Sequence, residues 1–239
     1  MSSGYKGRGV HGQTVELLGT RIVDGTLAPG EVLDLTAVGN ELGLSLTSLR
    51  EAIKVLMAKG LLDARQKKGT FVRPRSEWNA LDSDVLRWRQ VNGDSRALFR
   101  DLAEVRSAIE PRAAALAAQR RTEEDLTALH HALEGMKHAR GGTSQEAARA
   151  DLVFHQVLLR ATGNELFAQM AVFVEPALLA RDHLVHNHSP SDPVPAHQRV
   201  VEAIVAQNPE QAAIAAEALV DQSIEDVERV MSAERQETT

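Results

Sequence analysis

From Leu98 almost to the end of the chain, apolar residues recur with the period of an α-helix, and no other pattern interrupts them for long. Leu98, Leu102, Val105, Ile109, Ala113 and Leu116 form one continuous stripe. Further stripes cover 123–138, 145–161, 165–186, 194–206 and 209–232, broken at Gly141-Gly142, Gly163-Asn164, Ser189-Pro190 and Asn208-Pro209. Six or seven helices joined by such short breaks predict an antiparallel all-helical bundle over 95–234, which can hold a site in its core. The composition agrees: 43% of residues are apolar but only 3% are aromatic. Sheets favour aromatic and β-branched side chains, so packed helices are the better solution. No apolar run nears the ~20 residues that cross a bilayer, so no membrane partner is expected. The absence of cysteine excludes disulfides and thiolate metal sites and fits a cytoplasmic protein. The opening MSSGYKGRGV lacks the apolar stretch of a secretory signal. Residues 1–11 read as a flexible arm and 235–239 as a tail.

Residues 12–75 follow a different plan. Val15, Leu17, Leu18, Ile22 and Val23 share one side of a helix over 13–24, which Gly25 ends. A turn at Leu27-Ala28-Pro29-Gly30 follows, then a short helix from a Thr36 cap to Leu42, stopped by Gly43. Ser45 is placed to cap a third helix, with Leu49, Ala52, Ile53 and Leu56 inward and Thr47, Ser48, Arg50, Glu51 and Lys54 elsewhere. Two short helices around a glycine turn, the second polar at its start, make the helix-turn-helix pattern, whose second helix enters the major groove. After Gly60, the β-like runs 61–64 and 70–72 flank Arg65, Gln66, Lys67, Lys68 and Gly69. That is a hairpin with a basic tip, suited to a phosphate backbone or a minor groove. Charge divides the same way. Residues 1–79 carry 11 Lys and Arg against 8 Asp and Glu, while 80–239 carry 16 against 25. A basic head on an acidic body suits contact with a polyanion at one end only.

The stretch from IVDGTLAPGEVL through VGNELGLSLTSLREAIKVLMAKGLLDARQKKGTFV resembles the winged helix-turn-helix of GntR regulators. The motifs that carry the likeness are Leu49-Arg50-Glu51-Ala52 and Lys68-Gly69-Thr70-Phe71-Val72. The resemblance implies a homodimer on double-stranded operator DNA, with Arg50 on bases and the wing glycine, Gly69, in the minor groove. Thr47, Ser48, Lys67 and Lys68 complete the expected contact set. Members of the family usually carry Arg directly after the Ser that starts the recognition helix; Leu46 stands there here. One contact is then missing, and operator sequence and affinity are expected to differ.

Residues 76–94 form a connector. Trp78, Leu81, Val85, Leu86 and Trp88 make WNALDSDVLRW amphipathic, and its two tryptophans are read as packing between the domains. Its wording resembles GntR regulators of sugar-acid catabolism. In the body, four polar residues fall on apolar stripes. Arg106 lies at the edge of a buried face, and its donor fork matches a carboxylate effector. Asp151 and His155 are four apart and share a helix face. His197 precedes Val200, Val201 and Ile204 and points inward. Buried charges need partners, and an Asp with two His suits Zn²⁺, Ni²⁺ or Mn²⁺. On spacing alone, a surface ion pair and a satisfied core histidine explain the same residues.

VRSAIEPRAAALAA, DLVFHQVLLRATGNELF and HQRVVEAIVAQNPEQAA resemble the FCD ligand-binding domain of the FadR branch of GntR regulators. That likeness implies a metal set of Asp151, His155 and His197 with a fourth His where this chain has Leu219. The site is therefore either three-residue or absent. His183, His186 and His188 do not match the pattern and read as loop or helix-end residues. The expected function is a repressor released by a small carboxylate such as a sugar acid. Two alternatives stand beside it: a metal-dependent enzyme acting on a small organic acid, and a metabolite-binding protein without DNA binding.

Overall fold

Asp34, rather than Thr36, starts the second helix of the chain. Its carboxylate accepts from the backbone N–H groups of Thr36 and Ala37 at 2.9 and 3.0 Å. In the computed structural model, which describes residues 9–91, 95–185 and 192–237, the chain divides into the units Met1–Ser95 and Arg96–Thr239. It is mainly helical with one small sheet, as the sequence predicts.

The first unit comprises α1 (Val10–Val23), α2 (Leu35–Leu42), α3 (Leu46–Ala58), β1 (Leu62–Arg65), β2 (Gly69–Val72) and α4 (Ser83–Val91). Helix α1 begins earlier than expected, so Val10 and His11 are helical; residues 1–8 of the expected arm lie outside the described residues. Ser45 caps α3 as its sequence position implies, its Oγ accepting from the Ser48 N–H at 3.2 Å. Between α2 and α3 the chain reverses at Gly43, whose φ of +62° suits glycine. Strands β1 and β2 pair antiparallel from Leu62 with Val72 to Arg65 with Gly69. The hairpin is wider than the sequence shows. Leu33 donates to the Thr70 carbonyl at 2.8 Å and Val72 to that of Glu31 at 2.9 Å, so 31–33 act as a third edge.

Val15, Leu18, Ile22, Leu49, Ala52, Leu56, Leu61 and Val72 form the core of this unit, and Val85 and Trp88 belong to it. Trp88 was expected as packing between domains. Instead it lies in this core against Gly19, where a Cβ would come within 2.4 Å of its ring. Its indole N–H donates to Glu16 at 2.8 Å. Lys59 holds the start of α4 through Asp82 and Asp84, at 2.9 and 2.7 Å. The connector helix is thus part of the DNA-binding unit.

The second unit consists of α5 (Ser95–Arg120), α6 (Glu123–His138), α7 (Ser144–Arg160), α8 (Glu165–Gln169), α9 (Ala171–Val185), α10 (Val194–Val205) and α11 (Pro209–Glu237). Capping boxes at Thr122 with Asp125 and at Thr143 with Glu146 set the starts of α6 and α7. The single helix expected over 165–186 is two helices meeting at Met170, and α11 runs on into the expected tail. The main core packs Ala114, Ala117, Leu129, Leu133, Phe154, Leu158, Val200, Ile204, Ala216 and Leu219. The alanines let long helices approach closely, which explains how so few aromatic residues suffice.

Candidate functional site

Five helices of the second unit surround one small polar cavity of about 20 Å³. Helix α5 contributes Arg106, α7 contributes Asp151 and His155, and α10 contributes His197. Leu178 and Arg181 come from α9, and Leu219, Gln222 and Ser223 from α11. The four inward polar residues singled out in the sequence therefore converge. Arg106, His155 and His197 are almost fully buried, and Asp151 is 8% exposed. Phe154, on the same helix as His155, sets its ring edge-on to His197 at 4.6 Å and to His155 at 5.7 Å.

Glu110 is the partner the sequence reading missed. Its carboxylate takes Arg106 Nε at 2.6 Å and Nη2 at 3.4 Å, so one edge of the guanidinium is already occupied. Glu110 Oε2 also lies 3.1 Å from His155 Nδ1. The signal was legible: Glu110 follows Arg106 by four and shares its helix face. His183 has no described side chain, and His186 and His188 lie outside the described residues.

The proton positions follow from the acceptors. His197 Nδ1 is 2.8 Å from the Pro193 carbonyl, which can only accept, so this nitrogen carries a proton. His197 Nε2 then faces Asp151 Oδ1 at 2.8 Å. His155 Nε2 approaches the same oxygen at 3.3 Å. Neither Asp151 Oδ1 nor His197 Nε2 has a hydrogen-bond partner. In neutral rings, lone pairs would meet a carboxylate oxygen without a cation between them, a costly arrangement in a buried place. Burial disfavours charge on His155, yet Glu110 and Asp151 outweigh it and raise its pKa to about 9. Burial likewise works against ionised Glu110, but Arg106 and His155 lower its pKa to about 2. Asp151 is held well below the usual carboxylate range: the neighbouring imidazoles overcome its burial.

This donor set fits a divalent cation. Asp151, His155 and His197 offer one oxygen and two nitrogens within 4.8 Å of one another. Behind them, the Pro193 carbonyl bonds the far nitrogen of His197, the orienting arrangement found behind metal-bound histidines, and Glu110 lies 3.1 Å from the far nitrogen of His155 as an ion-pair contact. Leu219 lines the same cavity, at the position from which the resemblance would draw a fourth ligand.

At the other unit, Thr47 and Arg50 are exposed at the start of α3, and Leu46 beside them is 47% exposed. Ser48 is half-buried, with its hydroxyl 2.9 Å from that of Ser45, so it serves the cap. Lys67, Lys68 and Gly69 form the exposed hairpin tip. Gly69 has a φ of +83° and Lys67 one of +69°. Lys68 Nζ sits 3.7 Å above the Phe71 ring, which holds its stem along the wing.

Comparison with known proteins matches both units. Residues 11–72 match the description "Bacterial regulatory proteins, gntR family", and 101–222 match the FCD domain. The chain is 35% identical over 158 residues to the galactonate operon transcriptional repressor of Escherichia coli, covering 66% of this chain and 69% of that one. It is 32% identical over 206 residues to the uncharacterized HTH-type transcriptional regulator Rv0494 of Mycobacterium tuberculosis, covering 84% and 83%. Its fold is also similar to that of Lar, which controls the expression of the Listeria monocytogenes agr system, with a TM-score of 0.61, 18% identity and coverage of 94% of this chain and 99% of that one. These families and relatives are transcriptional regulators, which sets aside the enzyme alternative. No helix among the described residues is long and apolar enough to cross a membrane. The chain belongs to the GntR family of bacterial DNA-binding transcriptional regulators and carries an FCD domain as its second unit.

Proposed function

We propose that the protein is a homodimeric cytoplasmic repressor whose second unit binds a divalent metal and, with it, a small hydroxy-carboxylate that releases the operator. The observation that carries this reading is the pair of buried, unpartnered atoms Asp151 Oδ1 and His197 Nε2 on the wall of a cavity that Arg106 also lines. Asp151, His155 and His197 would hold the metal, and a bound metal supplies a Lewis-acid centre for carboxylate and hydroxyl oxygens. Glu110 occupies the Nε edge of Arg106 and Nη2 also lies 3.5 Å from His155 Nε2, which leaves Nη1 for the acid. Charge favours a monoanion. With both imidazoles neutral, as metal ligands must be, Arg106 and Arg181 stand against Glu110, Asp151 and Asp226, one net negative charge, and a divalent ion turns that to one net positive. The name of the Escherichia coli relative, a galactonate operon repressor, points to the same class of acid.

At the operator, Arg50 and Thr47 read base edges, Lys67, Lys68 and Gly69 meet the backbone and minor groove, and Ser48 supports the helix start. A two-fold pair of heads doubles the sequence read. A cavity of about 20 Å³ has room for an ion or a water but not for the acid, so the acid must bind a more open form of the second unit, and for release it must bind the DNA-incompetent form more tightly than the competent one. Calorimetry of galactonate and lactate against wild type, Arg106→Ala and His155→Ala, with Mn²⁺ removed and restored, tests the site. The reading expects metal-dependent binding by wild type and loss in both variants. Equal binding by all three proteins would move the effector elsewhere.

A further inference from the structure

The cavity is also lined by polar residues outside the cluster that would hold the metal. Ser223, on α11, is 9% exposed, and its Oγ is buried without a hydrogen-bond partner. Arg181, on α9, also lines the cavity, and its Nε is buried without a partner. The guanidinium is not loose. Its Nη2 donates to Asp226 Oδ2 at 2.6 Å, and Asp226 is itself almost fully buried. Asp226 and Ser223 are three residues apart on α11, so the carboxylate that pins Arg181 and the free hydroxyl share one helix face. Leu219 lines the same cavity and offers it no polar atom.

Buried polar atoms are nearly always satisfied, and two unsatisfied ones on residues that line a common cavity are candidates for a shared partner. Arg181 Nε can only donate, whereas Ser223 Oγ donates or accepts. An oxygen that accepts from Arg181 while exchanging a hydrogen bond with Ser223 satisfies both, and an alcohol oxygen does this with its own proton. We propose that Arg181 Nε and Ser223 Oγ form a second subsite, which recognises a hydroxyl of the effector remote from its metal-bound carboxylate. This deepens the reading of the protein as a hydroxy-acid regulator and rests on it. The subsite would make the protein select acids hydroxylated at both ends over singly hydroxylated ones. A site built to bond a hydroxyl rejects the analogue that lacks it far more strongly than an apolar pocket does.

Two matched pairs of acids test this by calorimetry on the full chain loaded with Mn²⁺: glycerate against lactate, and galactonate against its 6-deoxy analogue. Each pair differs by one terminal hydroxyl. Wild type is expected to prefer the hydroxylated member of at least one pair by about tenfold. Ser223→Ala should bring that preference below about twofold, and so should Arg181→Lys, which keeps the charge for Asp226 but loses the Nε donor. Mn²⁺ affinity, measured separately, should be unchanged in both variants, which shows that they fold and keep the metal end intact. A preference in wild type that survives both substitutions would overturn the subsite while leaving the hydroxy-acid reading in place. So would indifference of wild type to the hydroxyl, which would assign the two atoms to a trapped water. Failure of the Mn²⁺-loaded wild type to bind any of the four acids would overturn the reading and the subsite together.

Discussion

His197 turns its Nε2 onto Asp151 Oδ1 at 2.8 Å while its other ring nitrogen is committed to the Pro193 carbonyl. The ring cannot flip to relieve this contact without losing its carbonyl bond, so the pair waits for a cation. A proton or a metal ion meets the need, and the two compete. Asp151→Ala and His155→Ala should each lower bound Mn²⁺ or Zn²⁺ by at least tenfold, measured as metal per protein after dialysis. Leu219→His should raise affinity by adding a nitrogen from α11. Metal content unchanged in all three variants would remove the metal from this cluster.

The same competition gives the metal-free protein a pH dependence. His155 has a pKa of about 9 here, against about 6.5 for a free imidazole. A raised folded-state pKa contributes stability that is complete below pH 6.5 and is lost as pH climbs through 9. Thermal melts of chelator-treated protein should therefore fall across that window, and His155→Gln should flatten the slope. Metal affinity should rise over the same window as the competing proton leaves. A wild-type melting temperature level from pH 6.5 to 9 would contradict the assignment.

At the other end of the chain, Arg50 stands exposed one residue beyond the buried Leu49 that anchors its helix. Arg50→Ala should remove about 1–3 kcal/mol of sequence discrimination with no change in thermal stability. Lys67→Ala and Lys68→Ala should weaken binding to all DNA alike and shallow its salt dependence by about one phosphate each. Anisotropy titrations over a salt series separate the two behaviours. Normal operator discrimination by Arg50→Ala would relocate the reading surface.

Trp88 fills the space that Gly19 leaves, and the substitution to make is small. Gly19→Ala puts a Cβ within 2.4 Å of the indole of Trp88. The expected cost is about 1–3 kcal/mol by overpacking, read as an earlier loss of the native tryptophan fluorescence on urea titration. An unaltered transition would mean that α4 is not fixed to α1.

Much of this architecture was legible beforehand because periodicity and capping are local. Ser45, Gly43 and the stripes of α6, α7 and α10 needed only their neighbours in sequence. The errors arose where tertiary contact decides. Trp88 looked like a surface for another domain because nothing in its own segment reveals the opening at Gly19. Arg106 is read in sequence with an effector carboxylate as its partner, although Glu110, four residues on along the same helix, is a local signal for the pair. The split at Met170 carries no Gly or Pro, and the third edge of the wing depends on a segment, 31–33, that shows no strand pattern of its own. In the cavity, the metal-binding types could be read from spacing, whereas Arg181 and Ser223 could not. Their significance is the absence of partners, which only packing shows.

One cavity is proposed to couple metal, acid and operator, and operator release measures all three at once. A fluorescent duplex carrying the DNA upstream of the protein's own gene is bound by the full chain, and galactonate or lactate is added with Mn²⁺ present or removed. Release by at least one acid is expected only with the metal, and none in His155→Ala or Arg106→Ala although both still bind the duplex. Release that is equally efficient without metal, or in those two variants, would contradict the coupling.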